Sequence, residues 1–187
     1  MEDRKALRIV AERATAADPL SLWVHSLLSY AWAYAGDYQQ ARDVAYRSLA
    51  LSGMSVSIFM LPVVLSESGR HNEALEAAQR AVDWGERSPI TVAMLAHVLW
   101  RSGRRPEAQR AADEVRRMAP DHEFASLIAE AGFAGEERLA QLLRRALDLE
   151  AASTSLRIAP RLRELLSHPR LGPLVRALPT FAHQAPG

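Results

Sequence analysis

The sequence predicts an all-α fold of stacked helix pairs, and three observations predict it. Three like segments recur, AGDYQQA from Ala35, SGRHNEA from Ser68 and SGRRPEA from Ser102, with their glycines at 36, 69 and 103. The intervals of 33 and 34 residues are too long for a heptad and too regular for chance loops. Small residues follow each glycine at fixed offsets, and large apolar residues precede it at fixed offsets.

Each element follows from those offsets. Five residues after the glycines come Ala41, Ala74 and Ala108, and four further on Ala45, Ala78 and Ala112. Small side chains at that spacing share one helical face and let a second helix approach closely. Before the glycines, Leu28, Leu61 and Leu95 stand at offset eight, Trp32, Leu65 and Leu99 at offset four, and His25, Ile58 and Val92 at offset eleven. These form one stripe on a preceding helix. Each repeat is therefore helix, glycine turn, helix, the glycine closing the first helix because it enters the left-handed conformation cheaply.

These residues together resemble the tetratricopeptide repeat, whose period this is. The resemblance covers roughly Asp3 to Leu149 and implies a right-handed α-α superhelix of about three to four repeats, with a short helical C-terminal cap. The array is expected over 1–155, as units 22–54, 55–88 and 89–122, a partial unit 3–19 (Ala6, Val10 and Arg13 on a lone second helix) and a degenerate unit 123–150. In that last unit Gly135, Leu127 and Ala140 take the expected places, while Gly132 is expected to end its first helix early. Pro120 stands where the family often places a closing proline. Pro62 falls inside a first helix and is expected to kink it.

Beyond the array, Pro160-Arg161-Leu162, Leu165, His168-Pro169-Arg170-Leu171 and Leu174-Val175 repeat a Pro-Arg-apolar pattern. It reads as two short capping helices over 156–178, each with proline in its first turn. It resembles the tail closing such arrays in bacterial signalling and regulatory proteins. Residues 179–187 lack periodicity and are expected to be a flexible tail.

Composition removes whole classes of function. The 187 residues carry 23 Lys+Arg against 22 Asp+Glu, a formal charge of +1, so overall charge points to neither nucleic acid nor a membrane surface. With no cysteine there is no disulfide scaffold, thiol catalysis or cysteine zinc site. The charged N-terminus has no apolar core of a secretory signal, and the most apolar run, Ile58 to Leu65, is far short of a bilayer span. A cytoplasmic location is expected, and Arg-rich, Ala-rich usage suggests a bacterial source.

The search for chemistry finds no catalytic motif and implies no cofactor. No glycine precedes a Gly-Lys-Ser/Thr phosphate loop, and Gly-x-Ser-x-Gly is absent. None of the six histidines pairs with another at helical metal-ligand spacing, so no metal site is assigned. Acidic pairs such as Glu136-Glu137 read as solvated or as favourable charge near a helix start. The basic run from Arg101 to Arg117 reads as an exposed helix with intrahelical pairs, for lack of interleaved aromatics.

The informative surface is the other face of the first helices, which in the family lines a concave, peptide-receiving groove. It reads Trp23, Ser26, Tyr30, Ala33, Tyr34 in the first unit, then Val56, Phe59, Val63, Ser66, Glu67, then Ile90, Ala93, His97, Trp100, Arg101. A solvated face would be polar, whereas this one is apolar and aromatic. Trp23, Tyr30, Tyr34, Phe59, Val63, His97, Trp100 and Arg101 are the candidate partner-binding residues, and loss of Trp100 is expected to weaken a partner by about 2 kcal/mol.

The reading is a protein-interaction module, not an enzyme, binding a peptide or helix with an apolar segment, without direct contact to nucleic acid or membrane. Dimerisation through the incompletely covered N-terminal end is a further expectation. The alternative is the regulatory portion of a bacterial transcription regulator, kinase or cyclase system, with Met1 beginning a fragment or a split protein. A small-molecule pocket of His97, Arg101 and Tyr34 ranks last.

Overall fold

A computed structural model describes residues 2–52, 57–147 and 164–177, and among them the only regular structure is helix. Helices α1 (Glu2–Ala17), α2 (Leu22–Tyr34), α3 (Tyr38–Ser52), α4 (Ser57–Glu67) and α5 (His71–Trp84) belong to one compact unit. Helices α6 (Pro89–Arg101), α7 (Arg105–Met118), α8 (Glu123–Glu130), α9 (Glu136–Leu147) and α10 (Gly172–Ala177) belong to a second. The fold is all-α and of the helical-repeat kind.

The glycine turns recur atom for atom. Gly36, Gly69 and Gly103 have φ of 75°, 77° and 77°, inside the left-handed region. Each donates its N–H to the carbonyl three residues back, Ala33, Ser66 and Trp100, at 3.0 Å. The next residue donates to the carbonyl five back, Trp32, Leu65 and Leu99, at 2.9 Å. This double closure satisfies carbonyls the helix end would leave bare. The next helix then starts at Tyr38, His71 and Arg105 and lies against the one just ended.

Close approach of each pair is set by side-chain volume. Ala41, Ala45, Ala74, Ala78, Ala108 and Ala112 are fully buried. Between α2 and α3 the gap is narrow enough for Ser29 Oγ to donate to the Ala41 carbonyl at 2.9 Å, and for the Ser26 and Ser48 hydroxyls to meet at 3.2 Å. The His25 ring Nε2 donates to the Pro19 carbonyl at 2.9 Å, fixing how the chain enters α2. Helix α4 runs through Pro62, which is buried.

The pair α8–α9 departs from the expected pattern. Gly135 does not take the left-handed role; its carbonyl accepts from Leu139 N–H at 3.0 Å and so opens α9. Helix α8 stops at Glu130, as Gly132 led one to expect, and the N–H groups of Phe133 and Ala134 both reach the Glu130 carbonyl. Leu165, Leu171 and Val175 then join Leu127, Leu139, Ala140, Leu142 and Leu143 in one apolar cluster, so the C-terminal segment covers the α8–α9 face. Arg170 ties it down through Glu136 and Glu137 at 3.3 and 2.6 Å. Helix α10 carries Pro173, not Pro169, in its first turn. The unit limits at 54/55 and 150, the cap start at 156, the Pro160 motif and the 179–187 tail lie outside the described residues.

Candidate functional site

The candidate site begins with α2, whose sequence LWVHSLLSYAWAY contains no charged residue. One side, with His25, Leu28, Ser29, Trp32 and Ala33, is buried. The other is open: Trp23 is 70% and Leu27 65% exposed, with Leu20 just ahead of the helix equally open. At 100° per residue, positions 23, 27 and 30 of the helix fall within an arc of roughly 60°. Tyr30 at the edge of this arc is half-buried, and burial pushes its phenol pKa up, so it stays a neutral hydrogen-bonding ring.

Where described, the positions equivalent to Leu27 and Tyr30 are closed. Leu27 stands nine residues before its glycine; Met94, in the same place in α6, is 7% exposed. Tyr30 corresponds to Val63 and His97, which are 5% and 6% exposed. In the first unit the reason is direct: α2 lies against α4, whereas among the described residues α2 has only α1 before it. On α1, Ile9 and Val10 are also exposed.

The remaining sequence-selected residues are taken each within its own unit. Val63 and His97 offer a partner little more than an edge. Trp100 is held within its own unit: the Arg105 guanidinium lies 3.3 Å from its ring centroid and the Phe133 ring 5.1 Å away. Gly132 lies so close beneath the indole that any side chain there would collide with it. Arg101 is exposed and approaches Glu164 at 3.9 Å. The side chains of Tyr34 and Phe59 lie outside the described residues.

A cleft of about 780 Å³ opens between α1 and α3 over Trp32, rimmed by Lys5, Arg8, Arg47, Glu12 and Asp37. Its acids are already engaged, Glu12 with Arg8 at 3.0 Å and Asp37 as acceptor from the Gln40 N–H at 3.2 Å. Nothing there converges as a nucleophile and base would. What the open face of α2 can do chemically is bury apolar surface.

Residues 65–131 match the family model of the tetratricopeptide repeat. Over that stretch the chain carries tetratricopeptide repeats. No curated protein matches the chain. Tetratricopeptide repeats are in general modules of protein–protein interaction. No described helix is long and apolar enough to cross a membrane.

Within the repeat pattern, sequence reasoning missed Leu20 and Leu27. Both lie off the offsets used to draw the groove, although Leu27, spaced four and three from Trp23 and Tyr30, completes a helical stripe with them, while Leu20 stands ahead of the helix. It also missed Glu130, a buried carboxylate that Arg138 grips with two hydrogen bonds at 3.0 and 3.1 Å while Arg116 stands at 3.4 Å. No periodic signal marks that triad, because its members come from three helices.

Proposed function

We propose that this chain is a protein-interaction module whose α2 face receives an apolar segment of a protein partner. The observation that carries the reading is the exposure of Trp23 and Leu27 on a helix without charge. Burying each such side chain is worth about 2–3 kcal/mol, so two adjacent ones supply the core of a binding site while costing solubility when bare. Tyr30 adds a half-open ring with a hydroxyl at the margin. Trp23 and Tyr30 are thus the members of the predicted set that serve a partner directly. Val63 contributes to the first unit's own packing, and His97 and Trp100 to the second unit's.

Photo-cross-linking tests this in cells that express the chain. A photoreactive residue at position 23 or 27 should capture protein, whereas one at Leu51, exposed on α3, should not. Equal capture from position 51, or none from 23 and 27, overturns the reading.

A further inference from the structure

We infer that the cleft over Trp32 is a binding site for a small organic acid, a molecule with an apolar ring or chain and one carboxylate. The inference is independent of the open α2 face, because Trp32 stands on the buried side of that helix.

Shape is the first argument. Helices α1 and α3 both lie on α2, and the cleft is the space left between them. Its lining positions are 5, 8, 12 and 15 on α1 and 40, 44 and 47 on α3, so each helix turns one continuous stripe toward it. Where larger side chains would close the gap, α1 presents Ala11, Thr15 and Ala16. The volume of about 780 Å³ falls within the range of sites that hold one small molecule, roughly 300–1,000 Å³.

Polarity is layered across the cleft. Leu28, Trp32, Val44 and Ala11 make an apolar floor, each buried so that only an edge reaches the opening. Lys5, Arg8, Glu12, Gln40 and Arg47 are exposed around the mouth. An apolar bottom under a charged rim fits a ligand with an apolar body and a polar head.

Charge fixes the sign of that head. The lining carries three cations, Lys5, Arg8 and Arg47, and two acids, Glu12 and Asp37. Arg8 and Glu12 neutralise one another at 3.0 Å. Asp37 accepts the Gln40 N–H at 3.2 Å, at the start of α3, where the helix dipole offsets part of its charge. Lys5 and Arg47 have no hydrogen-bond or ion-pair partner among the described residues. A neutral or cationic ligand covering them would strip water from two charges and return nothing. A carboxylate replaces that water, with the planar fork of Arg47 and the ammonium of Lys5 as donors.

Nuclear magnetic resonance of the full chain, read at its four tryptophan indole N–H groups, tests the inference. The probes are 1-naphthoate and decanoate, with 1-naphthamide and 1-naphthylmethylammonium as neutral and cationic matches. At least one of the two acids should move the Trp32 resonance saturably and leave that of Trp23 in place. The amide should bind roughly tenfold more weakly and the ammonium more weakly still, and added salt should weaken the acid. Arg47→Gln and Lys5→Gln, both at exposed positions, should each weaken the acid roughly tenfold with helicity unchanged by circular dichroism. The inference is overturned if neither acid binds at millimolar concentration, if the ammonium binds as well as the acid, or if both glutamine variants bind like wild type. A response at Trp23 in place of Trp32 also overturns it, since the probe then sits on the open α2 face. A peptide with a free terminal carboxylate that displaces the acid and binds more tightly would overturn the assignment to a small molecule. Failure of this site leaves the cross-linking result at positions 23 and 27 untouched, so the two readings fall separately.

Discussion

Arg105 lies flat on Trp100, its guanidinium carbon 3.3 Å from the ring centroid. Phe133 stands on the same indole at 5.1 Å with the planes inclined by 46°. The sequence marked Trp100 as a partner anchor, but within its unit the ring joins the start of α7 to the end of α8. Trp100→Ala should therefore cost stability, about 2 kcal/mol for a half-buried aromatic that loses a cation–π contact and a ring contact. Urea denaturation followed by circular dichroism checks this. A midpoint unchanged from wild type would free Trp100 from its packing role.

Gly132, Gly103 and Gly135 of the second unit differ in what a side chain would meet. Gly132→Ala drives a methyl into the Trp100 indole and should cost about 1–3 kcal/mol by overpacking. Gly103→Ala meets no atom within 4 Å but keeps φ at 77°, so the cost is about 1 kcal/mol of backbone strain. Gly135→Ala has open space and no left-handed φ, and should be nearly neutral. The order of thermal midpoints among the three variants is the readout.

Glu130 is the most buried carboxylate described here, its side chain 2% exposed, and it joins α8 to Arg116 of α7 and Arg138 of α9. Its grip holds the Arg138 pKa above the ordinary arginine value through hydrogen bonding. Glu130→Ala leaves two arginines without their acceptor, although both can turn partly to water. The expected loss is about 2 kcal/mol. Denaturation of the single variants and of Glu130→Ala with Arg138→Ala measures their coupling. Strict additivity would show that the pair contributes no interaction of its own.

Acid should loosen the second unit through Glu114. Arg87 grips this carboxylate at 2.6 and 2.8 Å, and that hydrogen bonding holds its pKa below the ordinary glutamate value. A carboxylate depressed in the folded state stabilises fully above its unfolded-chain pKa, and the gain fades as pH falls through the folded one. Because Arg87 is largely exposed, the contribution is modest, about 0.5–1 kcal/mol. It nonetheless secures a turn in which Glu86 and Arg87 hold φ of 50° and 55°, an uncommon conformation for residues with side chains. Stability measured against pH should fall less steeply on the acid side for Glu114→Gln than for wild type.

Much of the fold was legible because its signals are local. The three glycine turns, the buried alanines and the apolar stripes obey offsets of a few residues, and these offsets alone imply helix, reversal, helix. Gly135 shows where the same logic failed: its spacing from Leu127 and Ala140 matched, but the short α8 ended before reaching it. The candidate site was only partly legible. Trp23 and Tyr30 were found, Leu20 and Leu27 were not, and Val63, His97 and Trp100 were selected although neighbouring helices or side chains occupy them.

The repeat, its turns and the identity of its buried small residues were determined by the sequence by itself, since backbone conformation at glycine and side-chain volume are properties of residues at fixed separation. Which of several equivalent apolar positions stays open was decided only by the tertiary structure. Leu27 and Met94 occupy the same repeat position, yet one is 65% and the other 7% exposed. Exposure depends on whether another element stands in front of a residue, and that is set by parts of the molecule remote from it in the chain.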